Sequence, residues 1–175
     1  MTRVAQLEAA VARWPDRDAI VEPDGRVLSF RSLDTRRRSC AARWYRQGVR
    51  PGDRVLLAMG LGGDLYASLA ALWTLGATVV LPEPAMGLAG VRHAARVTAP
   101  KWLCAAGRYI ALKPGVPALW GCGLLRPGGG GGEPPPVIQP DGPALVSFTS
   151  GTSGVPKAIP RSHALLQAQQ AAIEP

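Results

Sequence analysis

Arg54-Val55-Leu56-Leu57-Ala58-Met59-Gly60-Leu61-Gly62-Gly63-Asp64, continued by an uncharged run from Leu65 to Pro82, is the stretch that decides the fold. Arg54 to Met59 follows the turn signal Pro51-Gly52-Asp53 and reads as a short buried strand. Gly60-Leu61-Gly62-Gly63 reads as a loop-to-helix turn; it fails the G-x-G-x-x-G pattern because Leu65 takes the last glycine position. Asp64 suits the N-cap of a helix from Leu65 to Leu75, and Thr78-Val79-Val80-Leu81 is β-branched enough for a second strand. The uncharged run just reaches the length of a bilayer span, about 17–25 residues, but Gly76, Thr78 and Pro82 interrupt it. Helix then strand is the better reading. A helix from Leu88 to Thr98, ended by Pro100, and a strand from Lys101 to Cys104 continue the alternation. Strands alternating with helices imply parallel βαβ units: an α/β fold with a mostly parallel sheet.

Upstream, Val4, Leu7 and Val11 mark one face of a helix over Arg3 to Trp14, closed by Pro15. Ala19-Ile20-Val21 and Val27-Leu28-Ser29-Phe30 flank Pro23-Asp24-Gly25 and predict a hairpin. A helix from Arg31 to Gln47 ends at Gly48, with Leu33, Cys40 and Trp44 on one face. That periodicity splits Arg36-Arg37-Arg38 across faces and puts Arg37 near the apolar stripe, its stem over Trp44. Downstream, Tyr109 to Leu112 fits helix or strand, and Leu119-Trp120 fits a short strand. A Gly/Pro-rich connection at about 126–140 reads as flexible, Ala144 to Phe148 as a strand, and Ser162 to Ile173 as a helix.

The chain has 175 residues, 47% hydrophobic and 18% charged, which suits one globular domain and excludes wholesale disorder. Its net charge is +8, and among its basic residues only Lys101, Lys113 and Lys157 are lysines. With no reader motif and few interleaved aromatics, scattered arginine reads as a solvated surface and does not point to nucleic acid. Cys40, Cys104 and Cys122 form no C-x-x-C pair, and His93 and His163 do not complete a zinc site. We therefore expect reduced, packed thiols, no metal site, no membrane span and a cytoplasmic setting. His93 reads as a surface or core-edge residue.

The chemistry is concentrated in Phe148-Thr149-Ser150-Gly151-Thr152-Ser153-Gly154-Val155-Pro156-Lys157. A buried strand delivers the chain into hydroxyls and glycines, with a lysine at the far end. Gly151 and Gly154 let backbone amides approach a ligand closely, and successive amides can form a nest for an anion. Thr149, Ser150, Thr152 and Ser153 add hydroxyl donors, and Lys157 adds a mobile point charge. Such a set suits a polyphosphate. It is not a Walker A loop, because G-x-x-x-x-G-K-[ST] is absent. The plain alternative is a polar hairpin loop.

Phe148 to Lys157, followed by Arg161-Ser162-His163, resembles the phosphate-loop signature of the acyl-adenylate-forming superfamily: acyl-CoA synthetases, luciferases and peptide-synthetase adenylation domains. Leu28-Ser29-Phe30-Arg31-Ser32-Leu33 resembles that family's L-T-Y-x-E-L segment, and Gly48 to Val55 its G-V-x-x-G-D-x-V turn. Leu72 to Pro82 resembles its L-x-A-G-A-x-x-x-P segment. The resemblance implies an ATP-dependent reaction in which a carboxylate becomes an acyl-AMP, then passes to a thiol such as coenzyme A. It implies that Thr149, Ser150, Gly151, Thr152, Ser153, Gly154 and Lys157 hold the β- and γ-phosphates, with Lys157 neutralising charge in the transition state. His163 matches a family position without an assigned role.

Departures from the pattern set further expectations. Ala158 stands where a glycine is usual, and Ser153 where a threonine is common. The family's adenine and magnesium segment, ribose-binding aspartate, hinge and small C-terminal domain have no counterpart before Pro175. Residues 1–175 therefore read as a partial AMP-binding domain, an incomplete N-terminal subdomain, inactive alone and possessing no magnesium ligand of its own. A downstream segment as a separate chain would be its natural partner. A fragment of an acyl-CoA ligase is the first expectation. A peptide-synthetase-type adenylation fragment and a stand-alone phosphate or nucleotide module are the alternatives. The short connection leans away from amino-acid specialists.

Overall fold

The computed structural model describes residues 3–129, 132–138, 142–149 and 156–172. Its elements run α1 (Arg3–Arg13), β1 (Asp18–Val21), β2 (Val27–Ser29), α2 (Phe30–Gln47), β3 (Arg54–Ala58), α3 (Gly63–Thr74), β4 (Thr78–Val80) and α4 (Gly87–Thr98). They continue with β5 (Trp102–Ala105), α5 (Leu112–Gly115), β6 (Gly123–Leu125), β7 (Leu145–Thr149), β8 (Lys157–Arg161) and α6 (His163–Ala171). β1 and β2 form the hairpin predicted around Pro23-Asp24-Gly25. The other strands form one sheet in the order β6-β5-β3-β4-β7-β8, parallel throughout except for the last pair. The α/β class with a mostly parallel sheet is what the alternation implied.

Side chains alternate across that sheet with period two, so β3, β4 and β5 each feed two cores. Val55, Leu57, Val79 and Cys104 face one side, with Cys40, Ala41 and Trp44 of α2 and Leu65, Ala71 and Leu72 of α3. Leu56, Ala58, Val80, Leu103 and Ala105 face the other, with Ala94 and Ala95 of α4, Leu119, Val146 and Phe148. The uncharged run from Leu65 to Pro82 is thus α3 and β4, buried between layers. Among the described residues no helix is long and apolar enough to cross a membrane. All three cysteines are free and buried, and burial pushes the Cys104 thiol up.

The turn from Gly48 to Val55 shows why its residue types matter. Gly48 closes α2 in the left-handed region at φ 103°, and Gly52 turns the chain at φ 79°. Asp53 then accepts hydrogen bonds from the Arg50 amide, the Lys101 ammonium and the Trp102 indole, each at 3.0 Å. It therefore ties the start of β3 to the start of β5. Burial opposes the Asp53 charge, but the bonds from Lys101, Trp102 and Arg50 outweigh it and hold the carboxyl below its ordinary value.

Several local readings need correction. The N-cap of α3 is Gly62, not Asp64. The Glu22 carboxylate takes the Gly63 amide at 3.1 Å, and Asp64, in the first turn, pairs with Arg36 at 3.0 Å. Leu119-Trp120 is not a strand: Pro117–Leu119 forms a 3-10 turn, and β6 follows at Gly123. Gly123 is required there, because a Cβ would stand 2.2 Å from the Trp102 ring. Gly107–Ala111 is likewise 3-10, which resolves the open reading of Tyr109 to Leu112. Arg37 does more than edge the apolar stripe of α2. It is 1% exposed and donates to Asp34 at 2.6 Å, Thr74 at 2.9 Å and Glu8 at 3.1 Å, joining α1, α2 and α3. The described residues of the 126–140 connection have no regular secondary structure, but they do not hang free: Arg126 accepts from the Trp44 indole and the Ile138 amide donates to Thr74.

Asp53→Asn is expected to lower the unfolding free energy by about 2 kcal/mol, measured by chemical denaturation. Because the folded carboxyl titrates below its unfolded value of about 3.9, its contribution is present above that pH and lost as pH falls through the folded value. The variant should lack that component of acid loss. An unchanged midpoint in neutral buffer would contradict the role given to Asp53.

Candidate functional site

The candidate site is set by how β7 enters the sheet. The chain returns from the 126–140 connection to lie beside β4, and three donors receive it. The Trp73 indole donates to the Ala144 carbonyl at 2.9 Å, the Thr78 hydroxyl to the Pro143 carbonyl at 2.7 Å, and the Val79 amide to Ala144 at 3.1 Å. From there β7 runs parallel to β4, with Val79 opposite Leu145 and Val80 opposite Val146. Its buried residues Val146 and Phe148 join the α4-side core, and Thr149 emerges exposed at the carboxyl end. This is the edge of a parallel sheet where ligands characteristically bind.

β8 was not anticipated as a strand. It runs antiparallel to β7 with Thr149 opposite Lys157 and Phe148 opposite Ala158. The Ser/Thr/Gly stretch therefore connects the two strands of a hairpin, and the plain hairpin reading was correct about topology. Thr149 and Lys157 stand at its mouth, both exposed, one bearing a hydroxyl and the other an ammonium. Ser150, Gly151, Thr152, Ser153 and Gly154 lie outside the described residues. Ala158 sits in extended backbone, where the usual glycine's conformational freedom is not needed: among the described residues Ala99 is the one non-glycine with positive φ.

Beyond the mouth, Arg161 donates to Ser147 at 2.9 Å, and Ser162 caps α6 by accepting from the Leu165 amide at 3.1 Å. His163 opens α6 with its ring edge-on to Trp73, centroids 6.0 Å apart, so it packs on the residue that seats β7. Its Nδ1 is buried without a hydrogen-bond partner among the described residues. Burial first, then the Arg3 charge, lowers its pKa. His93, on α4, is half-buried: Nε2 lies 2.8 Å from the Pro156 carbonyl, and the ring meets Phe148 edge-on at 6.3 Å. Its core-edge placement was read correctly, but no motif or spacing marks its contact with the hairpin.

A cleft of about 630 Å³ lies elsewhere on the same edge, between Met59-Gly60, Ala106, Glu22, Arg36 and Gly128. Among the described residues, none of the hairpin lines it. Among the described residues no group of three or more His, Cys, Asp or Glu could hold a metal ion.

A protein family described as "AMP-binding enzyme" matches residues 7–174. The chain belongs to that family. Its relatives include the "Salicyl-AMP ligase / salicyl-S-ArCP synthetase" of Mycobacterium tuberculosis, 33% identical over 90% of this chain and 32% of that protein. An "L-proline--[L-prolyl-carrier protein] ligase" of Pseudomonas fluorescens is 32% identical over 88% of this chain and 33% of its own length. The chain thus spans about a third of these curated relatives. Among solved structures, the N-terminal domain of FACL13 from Mycobacterium tuberculosis superposes with a TM-score of 0.78, at 18% identity, over 93% of this chain and 45% of that one. That likeness shows the fold, shared with the N-terminal domain of that protein.

His163 gives the first test of this packing. With its folded pKa lowered, protonation favours the unfolded chain, so its contribution holds above about 6.5 and falls away below it. Between pH 7.5 and 5.5 the wild-type melting temperature should fall more steeply than that of His163→Gln. Parallel curves would contradict this placement.

Proposed function

We propose that this region holds the β- and γ-phosphates of ATP in an enzyme that activates a carboxylate as its acyl-adenylate. The observation that carries this reading is the placement of Thr149 opposite Lys157 at the carboxyl edge of the sheet, closing a loop of hydroxyls and glycines. The donor set fits the group. Exposed hydroxyl and ammonium donors suit polyphosphate oxygens, and no carboxylate lies in the 148–157 segment to repel them.

In this reading the carboxylate attacks the α-phosphorus of ATP, the bond to the β-phosphate oxygen breaks, and pyrophosphate leaves. Ser150, Thr152 and Ser153 donate to phosphate oxygens, Gly151 and Gly154 allow close amide approach, and Thr149 holds one wall. Lys157 offsets charge that builds on the departing pyrophosphate, which is where a fixed cation accelerates the step. Magnesium, when bound, would share that charge, and the resemblance puts its ligand outside residues 1–175.

A thiol then takes the acyl group. Coenzyme A is the acceptor in the acyl-CoA ligase reading. Two relatives favour a second one, being named "salicyl-S-ArCP synthetase" and "L-proline--[L-prolyl-carrier protein] ligase". Residues 1–175 are proposed as a partial AMP-binding domain. For this chain by itself we propose phosphate holding without turnover, the adenine and acyl sites being supplied by a further segment, on this chain or another.

Calorimetric titration with inorganic pyrophosphate tests the reading. Lys157→Ala should weaken binding about ten- to a hundredfold, the loss of one charged hydrogen bond, without changing the melting temperature. Equal affinity in both proteins would overturn it. ATP–pyrophosphate exchange by the isolated chain would overturn the absence of turnover.

A further inference from the structure

The hairpin that presents Lys157 has two legs, and one side chain from another element touches both. Phe148 is the residue before Thr149 on the ascending leg, and Pro156 is the residue before Lys157 on the descending leg. His93 reaches them from α4. Its ring rests edge-on against Phe148, and Nε2 lies 2.8 Å from the Pro156 carbonyl oxygen. A carbonyl only accepts, so His93 must carry its hydrogen on Nε2. The neighbouring Ala94 and Ala95 are fully buried in the core beneath, which gives the imidazole a fixed base. Pro156 restricts its own φ, so fixing its carbonyl also fixes the direction in which the chain enters Lys157.

We propose that His93 is a positioning residue for the phosphate loop. By donating from Nε2 to Pro156 while bracing Phe148, it sets the separation of the two legs and the approach of Lys157 to a phosphate. This role rests on the proposed phosphate site and adds a residue outside the 148–157 segment to it. His93 does not touch the ligand; it acts through the backbone on which the lysine stands.

The amide isosteres of histidine separate this role from bulk packing. In glutamine the amide nitrogen falls near the position of Nε2, whereas in asparagine it falls near Nδ1 and is too short to reach Pro156. Pyrophosphate titration of the full chain should show His93→Gln within about twofold of wild type. His93→Asn and His93→Leu should bind about fivefold more weakly, the loss of one ordinary hydrogen bond. All of them should keep the wild-type circular dichroism spectrum. Nitrogen-15 NMR of the wild-type imidazole should show the Nε2–H tautomer, with its proton protected from exchange.

The outcomes are distinguishable. If the three His93 variants bind like wild type while Lys157→Ala does not, the phosphate site stands and the His93 role is overturned. If wild type and Lys157→Ala bind pyrophosphate equally, or neither binds it, the phosphate reading fails and the His93 role with it. A wild-type Nδ1–H tautomer overturns the His93 role whatever the titrations give, including the case in which a variant does not fold.

Discussion

The structure depends on the reception of β7 by β4. After the connection around 126–140, the chain must find the open side of β4 and enter parallel to it, and the ladder itself supplies few backbone bonds to enforce this. The Trp73 indole, the Thr78 hydroxyl and the Val79 amide hold the Pro143 and Ala144 carbonyls before the strand begins. Because Trp73 lies on α3 and Thr78 opens β4, the unit built earlier in sequence carries the template for the last parallel strand. Everything about the site follows from that docking: which edge the loop leaves from, which way Phe148 points, and where β8 returns.

Charge does structural work in this chain before it does any chemical work. The excess of arginine is distributed into separate local tasks. Arg31 pairs with Asp16, Arg36 with Asp64 across two helices, and Arg50 lies over the Tyr45 ring at 4.5 Å. Arg37 is fully buried with each guanidinium nitrogen occupied, an arrangement whose loss costs more than its presence contributes, because the stranded partners remain. Exposed pairs such as Arg31 with Asp16 are worth little by comparison. Lys157 differs from them in standing exposed at a sheet edge beside a loop of donors.

What the sequence disclosed follows from the range over which each signal acts. Periodicity and glycine placement are local, so α2, its Gly48 cap, β3, α3 and β4 could be read from neighbouring residues. Asp53 could be read as a turn residue, but its grip on Lys101 and Trp102 is a contact between distant segments. The same holds for Arg37, whose helical position gave its burial without its partners, and for Gly123, whose need arises only beside Trp102. β8 was missed because Lys157 to Arg161 contains Pro160 and little β-branching, and its strand character comes from pairing with β7 at the sheet edge. At the candidate site, the motif singled out Thr149 and Lys157, which the structure sets opposite each other. The contact of His93 with the hairpin was not legible, since nothing in its own helix indicates that a carbonyl from the hairpin arrives beside it.

We propose that the hairpin mouth, and not the cleft beside Glu22 and Arg36, receives the phosphates. Amide chemical-shift mapping during titration with inorganic pyrophosphate tests this most directly, because the two locations lie at different strands of the same edge. Shifts are expected between Thr149 and Lys157, extending to the His93 amide and sparing Met59 to Gly62. Shifts confined to Glu22, Arg36 and Met59 to Gly62, with the hairpin unmoved, would contradict it.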